Sequence, residues 1–466
     1  MTVAPANCAT CKRQILAWHG KCSRANLETG IRHFELHSRG NILIRISKRL
    51  LGVTRSATLD INEKVMAMKA AGVHVYDLGI GEADYKAPPV ACEALADVAL
   101  QGKSRYTEVQ GTFQLREAIC KATNFQLNEQ LIASDRLDVP SCENWYDPSD
   151  VVVSAGSKLL QYSAVLGLCE PGDQVILQAP YWVSYSDMVR LAGAEPVVVS
   201  ASAEEGFVPP AQRIADAITG RTRLIFLNSP NNPTGRVWNA EQIDSLCELV
   251  LSRDDLYLLS DEIYGLIVFG AARHITPALH SPEMRDRVIL TGGLSKAYSM
   301  GGWRMGFAFV TDLRLRDAIV RVGANTISCP PSITQDAAVH ALEARDRVEE
   351  MRTDFERRAA LMDKRLNAMG LPTLPPQGAF YAFADVSSLF GTEIGDRTLH
   401  TTHDVAWAFL EDASVASVAG EAFGDRQHVR FSFVRPLEEL QTACDALEAF
   451  VLRCRRLDAV PVGKPA

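Results

Sequence analysis

What the chain lacks narrows the field first. Nowhere in its 466 residues is there an apolar run of transmembrane length; stretches such as Val151–Val153 and Leu256–Leu259 are strand-sized, so no membrane partner is expected. Positive charge is not in excess. A formal net charge of −8 argues against nucleic acid or an anionic membrane as the main partner. The eleven cysteines follow no disulfide-framework spacing, so they are read as reduced thiols, in keeping with a cytoplasmic location. Residues 60–455 contain no internal repeat and no low-complexity linker.

One deficit is local. Up to Arg55 only Glu28 and Glu35 stand against ten Lys and Arg. Residues 1–55 are therefore expected to be a poorly ordered extension, with an organelle transit peptide as the other reading of an acid-poor, Arg-containing N-terminus. The leader holds Cys8-Ala-Thr-Cys11, His19 and Cys22, but no second cysteine pair follows at finger or ribbon spacing. No metal site is expected. Residues 456–466 read as a loose tail.

The rest is regular. Ile61–Ala71 has helical spacing and ends at Gly72, and Val73–Leu78 reads as a strand running into Gly79-Ile-Gly81-Glu-Ala-Asp84. Seven short aliphatic runs then alternate with amphipathic stretches: Val151–Val153, Val175–Gln178, Pro196–Val199, Leu224–Leu227, Leu256–Ser260, Val288–Thr291 and Met305–Val310. That alternation predicts an α/β fold with a mostly parallel sheet. A long helical pattern from Thr334 to Met369 follows. Strands at Ala379–Ala384, Val415–Val418 and Val429–Phe433, and a closing helix Leu437–Leu452, make a smaller α+β unit. The expected division is a large domain over 86–325 and a small one over 326–455, joined by the segment 56–85.

Chemistry gathers where strands end. Lys296 follows a strand within Leu290-Thr-Gly-Gly-Leu-Ser-Lys-Ala-Tyr-Ser-Met-Gly-Gly-Trp-Arg-Met-Gly306. A partly desolvated lysine there loses proton affinity and becomes a usable amine nucleophile, while Ser295 and Arg304 can face a phosphate. Alone, the stretch reads equally as a surface lysine in a Gly-rich turn. However, Asn228-Ser-Pro-Asn-Asn-Pro-Thr-Gly235 places Asn232 on a rigid turn after one strand, and Leu259-Ser-Asp-Glu-Ile-Tyr264 presents Asp261 and Tyr264 after the next. Ligands of open parallel sheets bind at the carboxyl ends of strands. Turn chemistry explains any one of these groups but not all three together.

In this order and spacing, Asn-Pro-Thr-Gly, Asp-Glu-Ile-Tyr and Ser-Lys-x₇-Arg resemble the signature of the fold type I pyridoxal-phosphate (PLP) aminotransferases of class I/II. The likeness is to the bacterial aspartate and aspartate/prephenate branch, and it runs from about Ser56 to Leu452. It implies that Lys296 forms the internal aldimine and then carries a proton at the substrate Cα. Asp261 would pair with the pyridine nitrogen, and Asn232 and Tyr264 would donate to the ring oxygen. The phosphate would sit on Gly156, Ser157 and Lys158 at the start of a helix (Leu159–Leu168), with Ser295 and Arg304. Tyr106 resembles the tyrosine that reaches a neighbouring subunit's phosphate, which implies a homodimer with shared active sites. Trp182 would stack on the ring. Around the substrate the likeness implies Arg430 on the α-carboxylate, with Gly81, Trp182, Asn232 and Phe380 nearby.

The implied reaction is ping-pong transfer of an amino group from an amino acid (aspartate, glutamate or aromatic) to a 2-oxo acid. Two other readings stay open at this point. One is β-elimination, decarboxylation or oxidation at Cα on the same cofactor. The other is a PLP-binding transcription regulator, although residues 1–55 show no helix-turn-helix pattern. Three departures from the family pattern stand out: an insertion at Ser134–Asp147, Gly301 where a threonine is common, and the basic leader. No residue is assigned to the substrate side chain.

Overall fold

Strands that bury both faces read as unbroken apolar runs, the mark of a parallel sheet covered on each side. In the computed structural model, which describes residues 46–53, 57–134 and 144–458, those runs pair as expected. Tyr76–Asp77 is β1. Strands β2 (Val151–Ser154), β3 (Gln174–Ala179), β4 (Glu195–Ser200), β5 (Thr222–Asn228), β6 (Tyr257–Asp261), β7 (Val288–Gly293) and β8 (Gly306–Phe309) form one seven-stranded sheet. Its order is β2-β8-β7-β6-β5-β3-β4, and only β8 runs antiparallel to its neighbours. Along β5 the two-residue period divides the core. Leu224 and Phe226 join one buried cluster and Ile225 and Leu227 the other. Helices start where the chain supplies caps: Asn239 with Gln242 and Thr401 with Asp404 form reciprocal capping boxes.

The C-terminal block is built on a second sheet. Strand β9 (Tyr381–Asp385) is followed by a small hairpin, β10 (Glu393–Ile394) and β11 (Arg397–Thr398), then β12 (Val415–Ala416), β13 (Val418–Ala419) and β14 (His428–Ser432). β13, β14 and β9 pair antiparallel in that order. The strand expected over Val415–Val418 is instead divided at Ser417. Its first half pairs parallel with β1 and its second half with β14. Likewise, only Tyr76–Asp77 of the expected strand Val73–Leu78 makes a ladder.

The long helical pattern also divides, into Ser332–Ala341 and Arg345–Ala368, with Ala344 at φ −81°, ψ 52° starting the second helix. No Gly or Pro marks the break, which is why periodicity alone runs through it. The second helix buries Phe355 against Tyr85, Phe380 and Phe433.

Within the leader a short helix, Lys48–Leu51, is described; residues 1–45, with the cysteine and metal readings that fall on them, lie outside the described residues, as does the tail beyond Asp458. So does most of the insertion. Its described end is a core anchor: Trp145 and Tyr146 are buried, Trp145 under the Arg285 guanidinium and Tyr146 against Phe309, far along the sheet from the strand ends that carry the chemistry. Among the described residues no helix is long and apolar enough to cross a membrane.

Phe355→Ala empties the centre of that ring cluster and is expected to destabilise the fold by about 3–5 kcal/mol. Thr401→Ala, which removes one cap, costs about 1 kcal/mol. Denaturant midpoints of the two variants check this ordering, and equal shifts would contradict it.

Candidate active site

The parallel register decides what meets at the strand ends. Asn228, the last residue of β5, is level with Asp261 of β6, and Asp261 is level with Thr291 of β7. The loops leaving β2, β3, β5, β6 and β7 open onto one cavity of about 650 Å³. Gly81, Gly156, Ser157, Lys158, Trp182, Asn232, Asp261, Tyr264, Ser295, Lys296, Arg304 and Arg430 all line it. So twelve side chains or backbones, read as separate candidates in sequence, share one wall.

Asp261 is 3% exposed, and burial pushes its pKa up. Two donors oppose that shift by favouring the anion: Tyr185 Oη at 2.6 Å and Gln161 Nε2 at 2.7 Å, both on Oδ2. Lys296 is half-buried. Its Nζ donates to the Gly81 carbonyl and lies 5.8 Å and 5.6 Å from the ring centres of Tyr264 and Phe380, a favourable place for a cation. Tyr264 and Tyr381 share a 2.8 Å hydroxyl hydrogen bond, and burial holds the Tyr264 phenol well above its usual pKa.

Asn232 is fixed from both sides. Its backbone N–H donates to Asn228 Oδ1 at 2.9 Å, and its Oδ1 accepts from Arg430 Nη1 at 2.9 Å. That leaves Nδ2 as the donor end of the amide. Gly235, at φ 68°, closes this turn, and a Cβ there would lie 2.7 Å from the Tyr381 carbonyl. Arg430 is buried to 5% exposure, 4.4 Å over the Tyr381 ring and 5.1 Å over Phe423. Its Nη2 donates to the Gly79 carbonyl at 2.7 Å, and its Nε is buried without a partner. Desolvation lowers its pKa.

On the opposite wall the helix Ser157–Leu168 begins at Gly156 (φ 95°) with no side-chain cap and no acid in its first turn. Its first N–H groups, and the positive end of its dipole, are therefore open to an anion. Arg304, itself in the left-handed region at φ 58°, donates to Ala155 O at 3.2 Å and to Gly301 O at 2.9 Å beside that turn. A backbone conformation this unfavourable for arginine is held by its surroundings, as is common where a side chain must be aimed. Lys158 donates to Ser184 Oγ at 3.1 Å and sits 4.5 Å over the Trp182 ring. Desolvation first, then the charges of Arg304 and Lys296, lower its pKa. None of Lys158, Lys296, Arg304 and Arg430 is ion-paired with a carboxylate among the described residues. The donor set fits PLP: an uncapped helix end with an arginine for the phosphate, a buried carboxylate for the ring nitrogen, and an amine for the aldehyde. Among the described residues no group of three or more His, Cys, Asp and Glu is placed to hold a metal.

Two expected residues are elsewhere. Phe380 has no exposed surface and is not part of the cavity wall; it packs edge-on behind Tyr264, 5.3 Å away. Alternation along the strand sends Tyr381 to the wall in its place. Tyr106 is 88% exposed and borders a separate hollow with Ala155 and Cys329. Sequence reading missed Gln161, Tyr185 and Tyr381. Tyr185 carried a signal, three residues beyond Trp182 in the Pro-Tyr-Trp-Val-Ser-Tyr run, whereas Gln161 is legible only once its helix is packed on the sheet. At Gly301 a Cβ would lie 2.9 Å from Glu82 Oε1, so the threonine common there would meet Glu82.

Comparison with known proteins agrees with this geometry. Residues 73–447 match the family model described as aminotransferase class I and II. The chain is 35% identical to the aspartate aminotransferase of Geobacillus stearothermophilus over 410 residues, 88% of this chain and 99% of that one. It is 36% identical to the aspartate/prephenate aminotransferase of Cereibacter sphaeroides over 408 residues, covering 87% and 98%. Among solved structures, the aspartate aminotransferase of Rhizobium meliloti superposes with a TM-score of 0.81 at 34% identity, covering 89% of this chain and 100% of that one. The Thermus thermophilus aspartate aminotransferase with maleate gives 0.77 at 32%, covering 87% and 100%. With that likeness across nearly the whole described chain, this protein belongs to the class I and II aminotransferases, enzymes that transfer an amino group between an amino acid and a 2-oxo acid on pyridoxal 5′-phosphate.

Proposed function

We propose that the donor is a dicarboxylic amino acid, aspartate or glutamate, and that the acceptor is a dicarboxylic 2-oxo acid. The observation that carries this reading is the placement of cations. Among the described residues Arg430 waits on one side of the cavity with an unpartnered Nε, and Lys158 stands on the other, over Trp182, without an ion pair. A phosphate claims the helix end and Arg304. An α-carboxylate claims the Arg430 fork, and the second carboxylate of the substrate then offsets Lys158. The relative solved with maleate, a dicarboxylate, supports the same reading.

Bound PLP supplies an aldehyde that condenses with amines and a protonated ring that withdraws electrons from the substrate Cα. The chain's own groups do the rest. Lys296 Nζ would hold the cofactor through its aldehyde carbon and, once freed by substrate, would carry the proton from the substrate Cα to that carbon. Asp261 keeps the ring nitrogen protonated. Asn232 Nδ2 and the Tyr264 hydroxyl would donate to the ring's phenolic oxygen, and Trp182 would cover the ring face. Glycines 79 and 81 lie as a strap over the cavity, their carbonyls on Arg430 and Lys296. The strap is tied down by Arg358 Nη1 on Asp84 Oδ1 at 2.8 Å and by Tyr85 Oη on Asp354 Oδ2 at 2.6 Å.

The exposed Tyr106, beside Ala155 of the phosphate turn, supports a homodimer in which it serves the cavity of a second copy. We also read residues 86–325 as the cofactor-binding domain and the protein as cytoplasmic.

Three outcomes test the reading. Enzyme supplied with ¹⁵N-aspartate and 2-oxoglutarate is expected to give ¹⁵N-glutamate and oxaloacetate without ammonia or peroxide. Release of ammonia or peroxide in proportion to turnover would point to another Cα reaction. Arg430→Lys keeps the charge but loses the fork, so kcat/KM should fall about 10- to 100-fold for every amino donor. Lys158→Gln should lower kcat/KM about tenfold for aspartate and glutamate while leaving phenylalanine unchanged. Equal losses for both donor classes would remove the dicarboxylate assignment.

A further inference from the structure

Asp261 is surrounded in a lopsided way. Both strong donors, the Tyr185 hydroxyl and the Gln161 amide, converge on Oδ2. Among the described residues Oδ1 accepts only the Ile263 backbone N–H, at 3.3 Å. Tyr185 and Gln161 come from different helices, at 2% and 0% exposure, so neither donor is a loosely held surface contact. Gln161 accepts a further disadvantage to be there. Its Nε2 reaches Asp261 Oδ2 and, at 3.3 Å, Thr291 Oγ1, while its Oε1 is buried with no partner. A glutamine selected only to stabilise the core would have both ends satisfied, because an unpaired buried carbonyl is destabilising.

We infer that Tyr185 and Gln161 are positioning residues that clamp one oxygen of Asp261, fixing its rotamer and its negative charge so that Oδ1 is the oxygen offered to the cofactor ring nitrogen. This rests on the reading of Asp261 as the ring-nitrogen partner. Burial alone would push the carboxyl toward its neutral form, in which it cannot hold a proton on the ring. Donors on Oδ2 favour the anion without occupying the oxygen that must face the ring. The same bonds leave the side chain one orientation, so the Oδ1 lone pairs are aimed before the cofactor arrives.

The experiment uses the PLP-loaded protein and its Tyr185→Phe, Gln161→Leu and Asp261→Asn variants, together with the Tyr185→Phe/Asp261→Asn double variant. Tyr185→Phe keeps the ring packing and loses only the hydroxyl. It is expected to lower kcat about tenfold with little change in KM, and to shift the pH midpoint of the cofactor's visible absorbance band. Gln161→Leu should move both readouts in the same direction. Thermal midpoints of the cofactor-free Tyr185→Phe protein should stay near the parent value, which separates aiming from mere stability. In the Asp261→Asn background Tyr185→Phe should have no further effect, since its route of action is gone. If Asp261→Asn is crippling but Tyr185→Phe and Gln161→Leu leave kcat and the absorbance midpoint unchanged, the clamp is wrong and the role of Asp261 stands. If Asp261→Asn itself leaves cofactor affinity and kcat intact, the reading beneath the inference fails as well. Fully additive losses in the double variant also overturn the clamp.

Discussion

Positive charge held without ion pairs among the described residues is the constraint on which this structure turns. Lys158, Lys296, Arg304 and Arg430 face one cavity, and none is ion-paired with a carboxylate among the described residues. Gathering cations and desolvating two of them, Arg430 and Lys158, is costly unless something compensates. The protein compensates in part with weak, neutral devices. Arg430 rests on two aromatic rings and a backbone carbonyl, and Lys296 on another carbonyl near two rings. Such supports hold a cation in place without neutralising it, so affinity for anions is retained. Asp261 is the mirror case, a buried carboxyl whose neutral donors favour the charged form against desolvation.

The scaffold's part is to bring these groups to one level. Parallel pairing sets the ends of β5, β6 and β7 side by side, and each loop leaving them carries one chemical function. The antiparallel β8 returns the chain beside β2, which places Arg304 next to the turn at Gly156 although the two are far apart in sequence. β14 then brings Arg430 in from the second sheet, within reach of Asn232. The site therefore depends on two sheets, and any shift between them changes the distance between the Arg430 fork and the Lys296 amine.

Much of this was legible from the residues. Apolar runs between turn signals located all seven strands of the main sheet, because a strand buried on both faces has few other ways to be written. The cavity wall was legible wherever a motif tied a polar residue to a strand end, as at Asn232, Asp261 and Lys296. What escaped had no such marker. Gln161 looks like any helical polar residue until its helix is docked. Phe380 and Tyr381 are adjacent, and only the phase of β9 decides which of them faces the cavity. The break between Ala341 and Arg345 has no Gly or Pro to announce it. The two-way split at Ser417 depends on partners distant in sequence.

The central claim, that the cavity holds two separate anion sites supported by uncompensated cations, is tested most directly by thermal unfolding of the cofactor-free protein. Inorganic phosphate and maleate would be added singly and together, with chloride matching the ionic strength. The account predicts that each raises the unfolding temperature through its binding to the native state and that the two effects add, as they must when the sites are distinct. No shift beyond the chloride control, or a shift by one anion that abolishes the other's, would contradict it.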